Sequence, residues 1–172
     1  MERKRIALIE TGGTIEKTYD ELQGVLSNQV SNLDVMLSSL QLRGLRLTRV
    51  ALMNKDSLHM TPEDHDLIAR TVRAQAACHA GVVVVHGTDR LTVTGERILA
   101  GERPPVPVVL TGAMRPYELR TTDAVQNMTE ALLAVQILAP GVYVVIHNRV
   151  LEFPGVVKDA ELGTFVKREA DA

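Results

Sequence analysis

The chain has 172 residues, 45% of them hydrophobic, which is enough for one domain with a single buried core. Its 19 basic and 21 acidic residues give a net charge of −2, so the composition offers no basic footprint for nucleic acid or an anionic membrane. The first apolar run, Ile6–Ile9, is too short for a signal peptide or a membrane span, so we expect a cytoplasmic protein that binds a small molecule. The single cysteine, Cys78, excludes an intrachain disulfide and is expected on the buried face of a helix.

Apolar runs rich in β-branched residues predict the strands of the domain, and helical patterns separate them. Buried strands that alternate with helices indicate a mainly parallel sheet covered on both faces. We therefore predict a three-layer α/β/α domain with a flavodoxin-like sheet. The predicted strands are Ile6–Ile9, Leu45–Met53, Val82–His86, Val106–Thr111 and Val142–Ile146.

Two of the intervening helices have sequence signals for their first residue. Ser31 and Asp34 are spaced as a capping box, and Thr61 is placed as an N-cap before Pro62 in the first helical position. Residues 17–29 are polar and show no period, which predicts a long loop of the kind that often forms a lid. The predicted helices span residues 31–40, 61–78, 92–99 and 121–138.

Two predicted strands end in a glycine turn that presents a threonine. Thr11–Ile15 (Thr-Gly-Gly-Thr-Ile) follows the first strand, and His86–Asp89 (His-Gly-Thr-Asp) follows the buried valine run. Ligands of open α/β sheets bind beyond the carboxyl ends of the parallel strands, so Thr14, Thr88 and Asp89 are expected around one pocket. Structural roles stay open at this point: Thr14 could cap its own turn, and Asp89 could cap the next helix instead of holding an ammonium group.

Polar residues also follow the other predicted strands. Asp56 and Ser57 come after the second strand, and Thr111–Pro116 comes after the fourth. Lys158 lies after the last strand among apolar residues that could draw its amine inward to accept a proton, although a solvated surface lysine is the ordinary alternative. The histidines lack metal-ligand spacing, so we expect no metal, and His86 is interpreted as a core histidine.

Five segments in this order resemble the bacterial-type L-asparaginases. The resemblance covers nearly the whole chain and corresponds to the N-terminal domain of that family. It implies that residues 1–172 form one catalytic domain without the smaller C-terminal domain, as in short-chain members. The segments are Thr11–Ile15, Asp56–Ser57 with Met60–Pro62, His86–Asp89, Gly112–Pro116, and Lys158 with Thr164–Phe165.

The resemblance also implies roles for the matching residues. Thr14 matches the nucleophilic threonine, and Tyr19 matches the lid tyrosine beside it. Thr88, Asp89 and Lys158 match the Thr-Asp-Lys group of the family. The residues implied in substrate binding are Gly13, Asp56, Ser57, Gly87 and Ala113.

The implied reaction is hydrolysis of L-asparagine to L-aspartate and ammonia, without a cofactor, in a homodimer or homotetramer. The alternatives are a glutaminase or broader ω-amidase that uses the same threonine, and a non-catalytic sensor that keeps Ser57 and Asp89 to bind an amino acid. Leu58 and Arg90 depart from the family pattern, in which a polar residue and a threonine stand there. The acid that the second domain lends to a neighbouring site is expected to have no counterpart in this chain.

Overall fold

The structure, a computed structural model, describes residues 2–28 and 31–168. In that part of the chain, short 3-10 turns follow β1 and β4, at Thr14–Glu16 and Ser57–His59. The helices are α1 (Leu33–Ser38), α2 (Pro62–Ala76), α3 (Leu91–Leu99) and α4 (Ala124–Ala134). The strands are β1 (Lys4–Gly12), β2 (Thr18–Asp20), β3 (Val25–Ser27), β4 (Leu45–Lys55), β5 (Gly81–Val85), β6 (Pro107–Thr111), β7 (Gly141–Ile146), β8 (Arg149–Glu152), β9 (Val156–Asp159) and β10 (Thr164–Lys167).

The main sheet of the described chain has the order β4-β1-β5-β6-β7-β8. The first five strands in this order, β4, β1, β5, β6 and β7, are parallel, and β8 is antiparallel to β7. Numbered along the chain, the parallel strands have the flavodoxin-like order 2-1-3-4-5, so the predicted fold class is confirmed. The strand order reverses between β1 and β5, which is where ligands of such sheets bind.

Both faces of the sheet are covered, which explains why its central strands are continuous apolar runs. Along β1, Leu8 points to one face and Ile9 to the other, and both are fully buried. On the Ile9 face the sheet packs against α2 and α3, and on the Leu8 face against α1 and α4. Fully buried helix residues include Ile68, Val72 and Ile98 on the first face, and Met36, Met128 and Ala131 on the second.

Helix α2 begins as its sequence predicts. Thr61 Oγ1 accepts the Asp64 N–H at 3.4 Å, and Asp64 Oδ2 accepts the Thr61 N–H at 2.9 Å, which completes a capping box. The helix ends at Ala76, so Cys78 lies in the following turn and is exposed. The expectation of a buried helical Cys78 is therefore wrong, because the chain has already turned towards β5.

The capping box predicted for α1 is not formed. Asn32 occupies the N-cap position without a side-chain cap bond, and Ser31 Oγ accepts the Leu33 N–H instead. The Asp34 carboxylate pairs with Arg49 of β4. This tertiary contact occupies the carboxylate that a capping box would use to accept a backbone N–H. Within the described ranges, no helix has both the length and the apolar character required to cross a bilayer.

The segment predicted as a loop over 17–29 instead contains a hairpin. Strands β2 and β3 pair antiparallel with Tyr19 opposite Leu26, while Gln29 lies outside the described residues. A second unpredicted hairpin, β9–β10, pairs Lys158 with Phe165 and covers one edge of the core. These strands are short and half exposed, so neither shows a clear period of two.

Candidate active site

The turns that follow β1, β4, β5 and β6 pack against one another at the carboxyl edge of the sheet. A methyl group on Gly13 would lie 2.4 Å from Gly87 Cα, and one on Gly87 would lie 2.5 Å from Ser57 Oγ. One on Gly112 would lie 2.2 Å from the His86 carbonyl oxygen. The structure thus brings together the turns that carry most of the sequence-predicted site residues, and glycine is what permits this close approach.

Replacement of Gly13 by alanine is expected to destabilise the domain by about 2–5 kcal/mol, from overpacking and from a backbone conformation that disfavours side chains. Gly13 has φ 83° and ψ −175°, a region occupied almost only by glycine. Gly24→Ala is the matched control, since Gly24 also has a positive φ, 69°, but has open space around it. Urea unfolding measures both variants, and equal losses would show that the contact with Gly87 contributes nothing.

Lys158 joins two of the other predicted residues in one cluster. Its Nζ donates to Thr88 Oγ1 at 3.0 Å and to Asp89 Oδ1 at 2.6 Å. The side chains of Lys158 and Asp89 are 24% and 41% exposed, so the pair is open to a ligand. Asp89 does not cap α3, whose N-cap residue is Arg90 without a side-chain cap bond. Of the two roles left open for Asp89, helix capping is excluded by this geometry.

Thr14 opens the 3-10 turn after Gly13. The turn has no side-chain cap bond, and the Thr14 hydroxyl has no hydrogen-bond partner within residues 2–28 and 31–168. Thr14 is partly exposed, whereas Ile15 beside it is fully buried and anchors the turn in the core. The cap on its own backbone is therefore not formed, and the hydroxyl is held on a fixed turn with access to solvent.

Backbone N–H groups at the two glycine turns differ in their availability. The Gly12 N–H donates to Glu16 Oε1 at 3.1 Å, and the Gly13 N–H donates to the Lys55 carbonyl at 2.9 Å. In the described chain, the N–H groups of residues 87–89 have no such partner. The Thr14 N–H also has no partner among the described residues, so both turns can donate to a developing negative charge, and the turn after β5 offers the larger number of N–H groups.

Asp56 and Ser57 each bond to neighbouring protein groups. The Asp56 carboxylate pairs with Lys17 Nζ at 2.7 Å and accepts the Leu58 N–H at 3.0 Å. Burial alone would raise the pKa of Asp56, but these two partners outweigh it and hold the pKa below its ordinary value of 3.8. Ser57 is fully buried, and its Oγ accepts the Arg90 N–H at 3.3 Å. Lys17 was missed at the sequence level because a lysine in a polar segment gives no signal.

Tyr19 and Ala113 occupy opposite environments. Tyr19 lies on β2 with 60% of its surface exposed, and its backbone N–H donates to Glu118 Oε2 at 2.7 Å. Its hydroxyl has no hydrogen-bond partner among the described residues. Ala113 is fully buried directly after β6. The predicted contacts of both residues with substrate remain predictions.

His86 lies beneath the turn and not in the open site. It is fully buried, its Nδ1 donates to the Gly87 carbonyl at 2.8 Å, and its Nε2 accepts from Thr94 Oγ1 at 2.7 Å. Thr94 also bonds to His65 Nδ1 at 2.6 Å. Burial lowers the pKa of His86 to about 4 and lowers that of His65 as well, so both rings are neutral near pH 7. His86 is a core histidine that supports the turn.

Glu16 is a buried carboxyl group two residues after Thr14. It is 1% exposed and accepts the Gly12 N–H, so it fixes the shape of the turn from the inside. Burial raises the pKa of Glu16 above its ordinary value of 4.5, and the nearby Glu10 carboxylate adds to the rise. Hydrogen bonds from Ser31 and Gly12 offset the rise only in part.

Glu16→Gln is expected to be more stable than the wild type at pH 8, and this advantage should fade as the pH falls towards 4.5. A carboxyl group whose pKa is raised by folding contributes stability below its unfolded value and loses it as the pH rises through its folded value. Glutamine keeps the acceptor for Gly12 and never becomes charged. Urea unfolding between pH 4.5 and 8 measures the difference, with exposed Glu102→Gln as control. A constant difference across this range would contradict the prediction.

A family model for the asparaginase N-terminal domain matches residues 5–162. The chain belongs to the asparaginase family. This asparaginase-family chain is similar to the L-asparaginase of Thermococcus kodakarensis, with 30% identity over 92% of this chain and 49% of that protein. It is also similar to a subunit of the glutamyl-tRNA(Gln) amidotransferase of Halobacterium salinarum, with 35% identity over 83% of this chain and 34% of that protein.

Solved structures of asparaginases share the fold of this asparaginase-family chain. The thermostable L-asparaginase of Thermococcus kodakarensis superposes with a TM-score of 0.85 over 95% of this chain and 51% of that chain. The probable cytoplasmic L-asparaginase of Campylobacter jejuni is 31% identical and superposes with a TM-score of 0.84 over 96% of this chain and 53% of that chain. The chain thus spans about half the length, or less, of the relatives that it matches.

Proposed function

We propose that this chain hydrolyses the side-chain amide of L-asparagine to L-aspartate and ammonia, as a cytoplasmic homo-oligomer. The observation that carries the proposal is the cluster of Lys158 with Thr88 and Asp89, 3.0 and 2.6 Å away, beside the turn that presents Thr14. Thr14 offers a hydroxyl that has no hydrogen-bond partner among the described residues, and the cluster adds a carboxylate and an amine; these groups can supply the nucleophile and the proton transfers of acyl transfer.

The reaction has two steps, with Thr14 as the nucleophile. Thr14 Oγ forms a bond to the amide carbon, and its proton passes to a base, for which the candidates are Tyr19 and Lys158, each in its deprotonated form. The C–N bond then breaks, and ammonia leaves after it has taken up a proton. Water next attacks the acyl-enzyme ester, which releases aspartate and returns a proton to Thr14. N–H groups of residues 87–89 stabilise the oxyanion of each step, an effect worth about a hundred- to a thousandfold in rate per donor.

The α-ammonium and α-carboxylate groups of the substrate are assigned to a second set of residues. Asp89 holds the α-ammonium group, and Ser57 binds the α-carboxylate. Asp56, Gly13 and Gly87 contribute backbone groups to the same end of the substrate, because the ionised Asp56 side chain would repel a carboxylate. The Ala113 carbonyl accepts from the side-chain amide. The Ser57 oxygen accepts the Arg90 N–H, so the proton of its hydroxyl remains available to donate to the substrate carboxylate.

A second candidate, an amidase that prefers glutamine and works with a partner subunit, is favoured by the 35% identity to the glutamyl-tRNA(Gln) amidotransferase subunit. Asparagine and glutamine differ by one methylene, which a pocket discriminates by only about 1–3 kcal/mol. The rates of ammonia release from the two amides therefore distinguish the two candidates.

Ammonia release by the purified chain tests the proposal. Turnover should be fastest with L-asparagine and slower with L-glutamine and D-asparagine, and the mass of the active species in solution should be that of a homodimer or homotetramer. A faster rate with glutamine would favour the second candidate. Calorimetric binding of aspartate without ammonia release from any of these substrates would overturn the enzymatic proposal in favour of a sensor.

A further inference from the structure

Two segments that carry proposed site residues are joined by side chains outside the site. The turn after β6 carries Ala113, and the hairpin β9–β10 carries Lys158. These segments come from distant parts of the sequence, and their relative position decides where the Lys158 amine lies.

Asp123 holds the first of these segments. Its two carboxylate oxygens accept the backbone N–H groups of Met114 at 3.0 Å and Arg115 at 2.9 Å. Burial alone would raise the pKa of Asp123, but these bonds and the contact with His147 hold it below its ordinary value of 3.8. Asn127 adds a bond to the same carboxylate at 2.8 Å and another to the carbonyl of Gly112. The turn is thereby fixed to the start of α4.

His147 connects this carboxylate to the second segment. Its Nε2 lies 2.7 Å from Asp123 Oδ2, and its Nδ1 lies 3.0 Å from Thr164 Oγ1 on β10. An ionised carboxylate only accepts, so Nε2 carries the proton. His147 has a positive φ of 52°, and its own N–H donates to Asn127 Oδ1 at 3.1 Å, which sets the direction of the ring.

The hairpin register transmits this contact to the Lys158 amine. Thr164 precedes Phe165, which is fully buried and pairs directly with Lys158 across the hairpin. Phe165 fixes the depth of the hairpin in the core, whereas the His147–Thr164 bond is a polar link to the turn that carries Ala113. Position is critical at this point, since a displacement of about 1 Å in a reacting group can cost about a hundredfold in rate.

We propose that His147 is a positioning residue that clamps the β9–β10 hairpin to the turn after β6 and so places Lys158 against Thr88 and Asp89. The role in catalysis rests on the proposed function. The clamp concerns only the position of the Lys158 amine, so it can be tested without turnover.

His147→Asn and Thr164→Val each remove the link with little change in shape. Asparagine tolerates the positive φ of position 147 but is too short to bridge both partners, and valine replaces the threonine hydroxyl by a methyl group. Thr164→Ser keeps the hydroxyl and serves as the rescue variant. Thr71→Val, on the exposed face of α2, controls for the loss of a threonine hydroxyl elsewhere.

We expect His147→Asn and Thr164→Val to lower kcat for ammonia release by about tenfold or more, with KM little changed, because the site loses alignment and keeps its binding groups. Thr164→Ser and Thr71→Val should stay close to the wild type. In parallel, acetylation of Lys158 by an N-hydroxysuccinimide ester, followed by peptide mass spectrometry and normalised to Lys4, should be faster in the two clamp variants.

Unchanged Lys158 acetylation in both clamp variants would overturn the inference, whatever the enzyme does. Faster acetylation together with a wild type that releases no ammonia would overturn the proposed function and leave the clamp standing. Equal losses of kcat in Thr164→Val and Thr164→Ser would also overturn the clamp, because the Thr164 hydroxyl would then carry no part of the effect.

Discussion

Thr14→Ala is expected to lower ammonia release from L-asparagine by about a thousandfold or more, since loss of the nucleophile in a comparable two-step hydrolase costs on the order of a millionfold in kcat. The Thr14 hydroxyl has no partner among the described residues, so its removal leaves no buried group unpaired. The fold should remain intact, with a urea midpoint near that of the wild type. Steady-state ammonia release and urea unfolding on the same preparation measure both parts.

The control for this prediction is Thr88→Ala. Thr88 is 3% exposed and its hydroxyl accepts from Lys158, so its loss should weaken alignment but spare the nucleophile. A Thr14→Ala protein that keeps most of its activity, together with a Thr88→Ala protein that loses it, would reverse the assignment of the nucleophile. Thr71→Ala, far from the site on α2, should be indistinguishable from the wild type.

Lys158→Met is expected to lower kcat by about a hundred- to ten-thousandfold, the range found when a proton-transfer group is removed. The substitution deletes both the bond to Thr88 and the ion pair with Asp89 at 2.6 Å, which leaves the Asp89 carboxylate without its cation. KM should rise as well, because Asp89, which is assigned to the substrate ammonium, loses the contact that orients its carboxylate. Steady-state kinetics with L-asparagine separate the two parameters.

Lys158→Arg distinguishes the two ways in which Lys158 can act. Arginine keeps the positive charge and the hydrogen bonds but does not give up its proton. Retained activity in Lys158→Arg would assign an orienting role to Lys158. A loss of activity equal to that of Lys158→Met would assign proton transfer to it. Lys167→Met, on the partner strand of the same hairpin, controls for hairpin stability. Full activity in Lys158→Met would remove Lys158 from the mechanism.

The parts of the fold that could be predicted are those whose signals are local. The buried runs of β1 and β5 are continuous apolar strings because both faces of the sheet are covered, and no pairing partner needs to be known to recognise them. The start of α2 could be predicted because the capping box of Thr61 and Asp64 is complete within four residues. The same pattern failed at Ser31 because Arg49, distant in sequence, binds Asp34.

The candidate site shows the same division. The turns with Thr14 and with Thr88 and Asp89 could be singled out because each combines glycine with polar groups directly after a buried run. The hydrogen bonds that organise these turns could not be predicted, since those bonds join residues that lie far apart in the sequence. Glu16 and His147 gave no signal, because a single acid in a polar segment or a single histidine in a turn is ordinary on any surface.

The sequence by itself therefore determined the class of the fold, the edge of the sheet where the turns meet and the resemblance to asparaginases. All three follow from periodicity and from motifs of a few residues, which depend on neighbours along the chain. Only the tertiary structure decided that Lys158 lies against Thr88 and Asp89, that Asp89 does not cap α3, and that His147 links the hairpin to the turn after β6. Those contacts arise from the register of β9 and from the packing of separate strand ends, so no local pattern encodes them.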